Sequence, residues 1–131
     1  MDWITNNIAI GNFVDARALT VSDVEAVLCL KEACCDESDD EFCTMCVPLI
    51  DGPGNDENAV EDAIAFIDDI VRRDERVLVH CHAGRSRSVC IVARYLMAIR
   101  GWSREKSLQF ISSKREIYLS PGIEGILRIR G

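Results

Sequence analysis

Bases are scarce in the first half of this chain. Residues 1–71 carry only Arg17 and Lys31 against 17 acids. Asn-x-Ser/Thr glycosylation acceptors are absent. The N-terminus, Met1-Asp2-Trp3-Ile4-Thr5, lacks a basic stretch followed by an apolar run, so no secretory signal is expected and a cytoplasmic location is. No apolar run approaches the ~18 residues of a membrane span. The longest, 89–99, is broken by Arg94.

The net charge of −7 argues at first against a nucleic-acid partner. The total hides a division, because residues 72–131 hold 13 bases and 5 acids. An anionic ligand would meet a basic environment in that half. A length of 131 residues supports one domain, 1–131, and a monomer is expected. With 48% apolar and 28% charged residues, a disordered or fibrous chain is excluded.

Seven cysteines are present, an odd number: 29, 34, 35, 43, 46, 81 and 90. Without a secretory signal, reduced thiols are expected. Cys34, Cys35, Cys43 and Cys46 make four thiols for a structural zinc. Adjacent Cys34-Cys35 suits one tetrahedral ion badly, however, and no second Cys-x2-Cys or His pair accompanies them. Unligated thiols are expected there, some buried in the strand that follows. Cys90 lies in an apolar helical stretch and reads as core.

Along the chain, Ile8-Ala9-Ile10-Gly11 and Ala26-Val27-Leu28-Cys29-Leu30 read as short buried strands. Ser22-Asp23 is expected to cap a short helix through Glu25, and 31–41 reads as an exposed acidic loop. Residues 45–50 form another apolar run, stopped by the turn signal Asp51-Gly52-Pro53-Gly54-Asn55. Asn55 or Asp56 then caps a helix whose apolar residues recur at Val60, Ile64, Ile67 and Val71, with Arg72 and Arg73 at its end. Val77-Leu78-Val79-His80 is an uninterrupted buried strand of the parallel type. Ser88 to Arg100 is helical and stops at Gly101. Ser103 caps a helix to about Lys114, and Pro121-Gly122 opens a last one toward Arg130. Strands alternating with helices predict an α/β fold, a mostly parallel central sheet with helices on both faces.

The segment from Val77 to Ser88 carries the chemistry. A buried strand runs into the loop Cys81-His82-Ala83-Gly84-Arg85-Ser86-Arg87-Ser88 and then into a helix. Ligands of open α/β sheets bind at this edge, and successive N–H groups at a helix N-terminus cradle an anion. Gly84 lets the backbone curl. A thiol at the bottom of such a cradle ionises easily, because the helix terminus and nearby cations favour the thiolate. Arg87, six residues after Cys81, offers a planar fork for two phosphate oxygens. Together they suit in-line displacement at phosphorus through a cysteinyl-phosphate, without a metal or other cofactor.

The departing alkoxide or phenoxide needs an acid. Asp51 follows an apolar run thirty residues before Cys81, and a parallel sheet would bring its loop to the same edge. Asp56 is the second candidate, with helix capping as its other role. Ser88 could stabilise Cys81 as a leaving thiolate, and His80 could fix the loop through hydrogen bonds. Plainer roles stand beside these: Asp51 as a turn former, Ser88 as a helix cap, Arg85 as a solvated charge.

Cys-x5-Arg with His before it, Gly at the third loop position and Ser after the Arg resembles the signature of the cysteine-dependent protein tyrosine phosphatases. Ser86-Arg87-Ser88 is most similar to the dual-specificity branch. The resemblance runs from Ile10-Gly11 through Val27-Leu28 and Pro48-Leu49-Ile50-Asp51 to Gly101-Trp102-Ser103 and Pro121-Gly122. It implies Cys81 as nucleophile, Arg87 as phosphate binder, Asp51 as general acid and then base, and the amides of His82, Ala83, Gly84, Arg85, Ser86 and Arg87 as the phosphate loop. Many members carry Asn where this chain has Cys29, and that Asn braces the loop. The short chain implies a shallow pocket for phosphoserine and phosphothreonine as well as phosphotyrosine in proteins, with no nucleic-acid partner. Mitochondrial-type phosphatidylglycerophosphate phosphatases have a similar loop, with Lys where this chain has His82. Two more readings stay open, an RNA 5′-phosphatase and a non-catalytic phosphate-binding module. Were strand 26–30 to neighbour strand 77–80, Cys29 could approach an oxidised Cys81 and trap it as a disulfide.

Overall fold

The computed structural model describes residues 1–32 and 42–128. Five strands form one sheet: β1 (Asp2–Trp3), β2 (Ile8–Gly11), β3 (Ala26–Cys29), β4 (Cys43–Cys46) and β5 (Val77–His80). The order across the sheet is β1-β2-β5-β3-β4. Only β1 runs antiparallel to its neighbour. The central place falls to β5, whose four residues are all buried, as an unbroken apolar run requires. Its end is aligned with the ends of its neighbours, since Gly11 and Cys29 both stand opposite His80. The loops after β2, β3 and β5 therefore emerge at one edge.

The helices are α1 (Phe13–Arg17), α2 (Glu57–Arg72), α3 (Arg87–Arg100) and α4 (Arg104–Ser112), followed by a 3-10 turn over Ile123–Leu127. Helix α2 starts where Asp56 accepts from the Asn58 amide at 3.2 Å, so Asp56 and not Asn55 is the cap. It buries Val60, Ala63, Ile67 and Ile70, while Ile64 and Val71 are only partly buried. Arg72 and Arg73 pair one turn back with Asp68 and Asp69 on the wet face. Helix α3 is buried from Arg87 through Leu96 and ends on Gly101 at φ 67°, the left-handed cap that glycine accepts best. Ser103 caps α4 by accepting from the Lys106 amide.

The two faces of the sheet are covered unequally. Ile10, Leu28, Leu30, Val79 and Cys81 belong to the main core with α2, α3, α4 and the 3-10 turn. Ala9, Val24, Val27 and Leu78 point the other way, into a small cluster joined by Ala16 of α1. Period-two alternation divides adjacent strand residues between these faces.

Several local expectations change. Residues 20–23 form a turn, with Asp23 accepting from the Thr20 amide at 2.9 Å, rather than a capped helix. Strand β4 lies at Cys43–Cys46 instead of 45–50, because Pro48 has no N–H for the ladder. Val47 and Leu49 still donate to Cys29 and Leu30 of the neighbouring chain segment. As an edge strand β4 is largely exposed, so Cys43 and Cys46 are not buried thiols, and Cys46 takes part in a disulfide instead of standing reduced. Cys34 and Cys35 lie outside the described residues, as does most of the acidic segment 31–41. The last helix is only the short 3-10 turn. Among the described residues no helix is long and apolar enough to cross a membrane.

Candidate active site

Between the end of β5 and the start of α3, residues 81–86 form a loop that curls over the end of β2. Gly84 makes the curl, with φ 70°. A Cβ there would meet the Gly11 carbonyl oxygen at 2.5 Å, so no larger residue fits without movement. The loop is tied down from two sides. Phe13, opening α1, donates its amide to the His82 carbonyl at 3.2 Å and stacks its ring on the His82 imidazole with centroids 4.8 Å apart. From the other side, the Tyr118 amide donates to the Arg85 carbonyl at 2.9 Å, and the Ser120 amide donates to Ser86 Oγ at 3.1 Å.

Cys81 lies at the bottom of this loop, 2% exposed, with Sγ 3.3 Å from Ser88 Oγ. Burial is the largest influence on its thiol and acts upward. The Ser88 hydroxyl, the amides of Ser88 and Gly84 and the Arg87 charge outweigh it, and the thiol sits below the ordinary range. Cys90, equally enclosed in α3, is the control. Burial without such donors, with the Asp51 charge adding to it, pushes Cys90 up to about 12.

Arg87 is the first residue of α3 and is 9% exposed. Its Nη1 donates to the Leu49 carbonyl at 3.3 Å, while its Nε is buried and unpartnered among the described residues. An orphaned guanidinium N–H beside a thiolate-prone cysteine is an unmade hydrogen bond that an oxyanion could complete. The plainer role for Ser88 falls away: Ser86 holds the N-cap position, and Ser88 is buried inside the helix against Cys81.

His82, Ala83 and Arg85 form the rim of the loop, and Arg85 reaches Glu116 at 3.8 Å. His80 is buried, its Nδ1 lacks a partner among the described residues, and burial holds its basicity down. It stands opposite Cys29, on the face of the sheet turned away from Cys81. Cys29 is therefore not placed to meet Cys81, although their strands are neighbours.

Asp51 is exposed in the loop that leaves the sheet after Leu49, the residue held by Arg87. Its charge is felt at Cys90, in the helix into which the Cys81 loop leads. Asn55, one of the two residues that the sequence offers as cap of α2, has a different task. It accepts from the Ile50 amide at 2.7 Å and donates to the Ile50 and Gly52 carbonyls at 2.9 and 3.3 Å. Nothing in the sequence points to Tyr118 and Ser120. They act through backbone amides, which carry no side-chain signal. Among the described residues no cluster of His, Cys, Asp or Glu could hold a metal ion.

Residues 10–127 match the family described as dual specificity phosphatase, catalytic domain. The chain is 31% identical over 124 residues to Dual specificity protein phosphatase 1B of Arabidopsis thaliana, covering 91% of this chain and 74% of that protein. It is 39% identical over 79 residues to Dual specificity protein phosphatase 1 of the same plant, covering 60% of this chain and only 40% of that protein. The crystal structure of human DUSP28 is similar with a TM-score of 0.80 at 25% identity, covering 97% of this chain and 92% of that one. Since the matched span contains the whole Cys81–Ser88 loop and the likeness extends along nearly the full sequence, the chain belongs to the dual specificity phosphatase family.

Proposed function

We propose that this single domain hydrolyses phosphate monoesters of proteins, on tyrosine and on serine or threonine, through a cysteinyl-phosphate. The observation that carries the reading is Cys81, lowered below an ordinary thiol, beside an Arg87 Nε that has no partner among the described residues. The Cys81 thiolate attacks phosphorus in line. An S–P bond forms as the ester P–O bond breaks, and Asp51 gives its proton to the departing oxygen. The amides of residues 82–87 and the Arg87 guanidinium hold the three remaining oxygens, where charge builds in the transition state. Water then attacks phosphorus and Asp51 takes its proton. The S–P bond breaks, with Ser88 donating a hydrogen bond to the leaving thiolate. Membership of the dual specificity phosphatase family supports a site that accepts serine and threonine phosphates as well as tyrosine phosphate.

A small aryl phosphate assayed in the presence of a chelator tests the reading. Wild type should turn over, Cys81→Ser should be inactive, and Asp51→Asn should be strongly slowed. Full activity in Cys81→Ser would end the mechanism. A wild type that binds phosphopeptide without hydrolysing it would make the domain a binding module. Phosphopeptide, phospholipid and 5′-phosphorylated RNA substrates, compared by kcat/KM, then decide the substrate class.

A further inference from the structure

Packing holds only part of the Asp51 loop: Gly52 is buried near the Pro121 carbonyl and the Pro53 ring lies against Gly122, while Asp51 and Gly54 are exposed. The loop contains Gly52 and Gly54, the latter at φ 92° with open space around its Cα, and glycine gives a loop the widest conformational range. Beneath it lies a cavity of about 100 Å³, bordered by Gly52, Glu57, Val60, Gly122 and Ile126. An exposed proton donor in such a loop must still be held in line with the leaving oxygen, and misplacement of catalytic groups is costly.

Polar tethers add to this packing, and they are arranged around Asp51. One side-chain amide, that of Asn55, bonds both backbone groups of Ile50 and the carbonyl of Gly52. The peptide unit that enters Asp51 and the one that leaves Gly52 are thereby held to one planar group. The two ends of the loop are held by a single helix. Arg87 donates to the Leu49 carbonyl, just before the loop. Arg94, seven residues further along α3 and so on nearly the same face, is 8% exposed and grips Glu57, the first residue of α2, just after the loop. Its other nitrogen donates to the Ile126 carbonyl across the cavity at 3.3 Å. The helix that supplies the phosphate-binding arginine thus also fixes where the acid loop begins and ends.

We propose that Asn55, with Arg94 acting through Glu57, is a positioning residue for proton transfer by Asp51. This rests on Asp51 being the general acid. Neither residue touches the reacting atoms. Their loss leaves Cys81 and Arg87 in place and degrades only the alignment of the acid.

The test is a series of aryl phosphates graded by leaving-group pKa, hydrolysed by wild type, Asn55→Ala, Arg94→Met, Asp51→Asn and the double variant Asp51→Asn/Asn55→Ala. The rate is read as kcat/KM, which reports formation of the cysteinyl-phosphate and not its breakdown, where Asp51 acts as base. Esters of the most acidic phenols need no protonation and should keep close to the wild-type kcat/KM in Asn55→Ala and Arg94→Met. Esters of the least acidic phenols should lose on the order of tenfold in kcat/KM. The double variant should be no slower than Asp51→Asn alone, because the tether has nothing left to position. Melting curves accompany each variant. Should Arg94→Met fail to fold, Asn55→Ala, on a surface loop, carries the test. Equal losses across the series, or additive losses in the double variant, overturn the proposal while Asp51→Asn still steepens the dependence. Should Asp51→Asn itself leave the dependence flat, the acid assignment fails, and the positioning role with it.

Discussion

Ser88 Oγ stands 3.3 Å from Cys81 Sγ, at the start of the helix that begins at Arg87, with both groups buried. This contact is among the influences that lower the thiol. The thiolate fraction, and with it the alkylation rate, rises with pH through the thiol's pKa. Removing a lowering influence must therefore move the midpoint to higher pH. In Ser88→Ala, the pH midpoint for alkylation of Cys81 by iodoacetate should rise. Breakdown of the cysteinyl-phosphate should slow more than its formation, seen as a larger burst with a good aryl leaving group. An unchanged midpoint and no change in the burst would remove Ser88 from the reaction.

Arg87→Lys keeps the charge and loses the fork. A lysine cannot hold two phosphate oxygens in one plane, nor reach the Leu49 carbonyl as well. We expect kcat/KM for an aryl phosphate to fall on the order of 100-fold or more, as when one preorganised donor to a developing oxyanion is lost. Steady-state kinetics at fixed pH check this. A fall of less than about threefold would mean the guanidinium geometry is not used.

Gly84→Ala asks for two things at once. The residue would keep φ 70°, and its new methyl would sit 2.5 Å from the Gly11 carbonyl oxygen. Backbone strain of this kind costs about 1–3 kcal/mol before the clash is counted. The variant should melt several degrees lower and lose activity through displacement of the Gly84 amide from Cys81. Thermal unfolding together with vanadate affinity separates the effects. A fully stable, fully active variant would show the loop free to re-form.

Peroxide oxidation of Cys81 should give no Cys29–Cys81 disulfide. Cys29 stands in register with His80, and adjacent residues of extended chain point to opposite faces. Cys81 belongs to the core with Leu28 and Leu30, and Cys29 falls between those two on the other side. Peptide mapping of oxidised, alkylated protein is the check, and a Cys29–Cys81 cross-linked peptide would contradict the assigned faces.

Local chemistry makes much of this protein legible in its sequence alone. An unbroken run of Val77, Leu78 and Val79, then a thiol, a glycine and an arginine, is read directly as strand, anion-binding loop and helix. The helix ends at Gly101 and Ser103 are legible for the same reason, and the start of α2 to within the pair Asn55 and Asp56, since capping is satisfied within a few residues of chain. Long-range relations are not. That Asn55 bonds the chain on both sides of Asp51, that α3 grips the Asp51 loop at both Leu49 and Glu57, and that the Tyr118 and Ser120 amides reach back to Arg85 and Ser86 all depend on which elements become neighbours. Which thiol faces which is decided by register and by the side of the sheet, not by spacing along the chain. Covalent order and local hydrogen bonding thus mark out candidate residues for chemistry. The parallel sheet and its packed helices decide which of them meet, because only folding removes water and closes the distance between groups far apart in sequence.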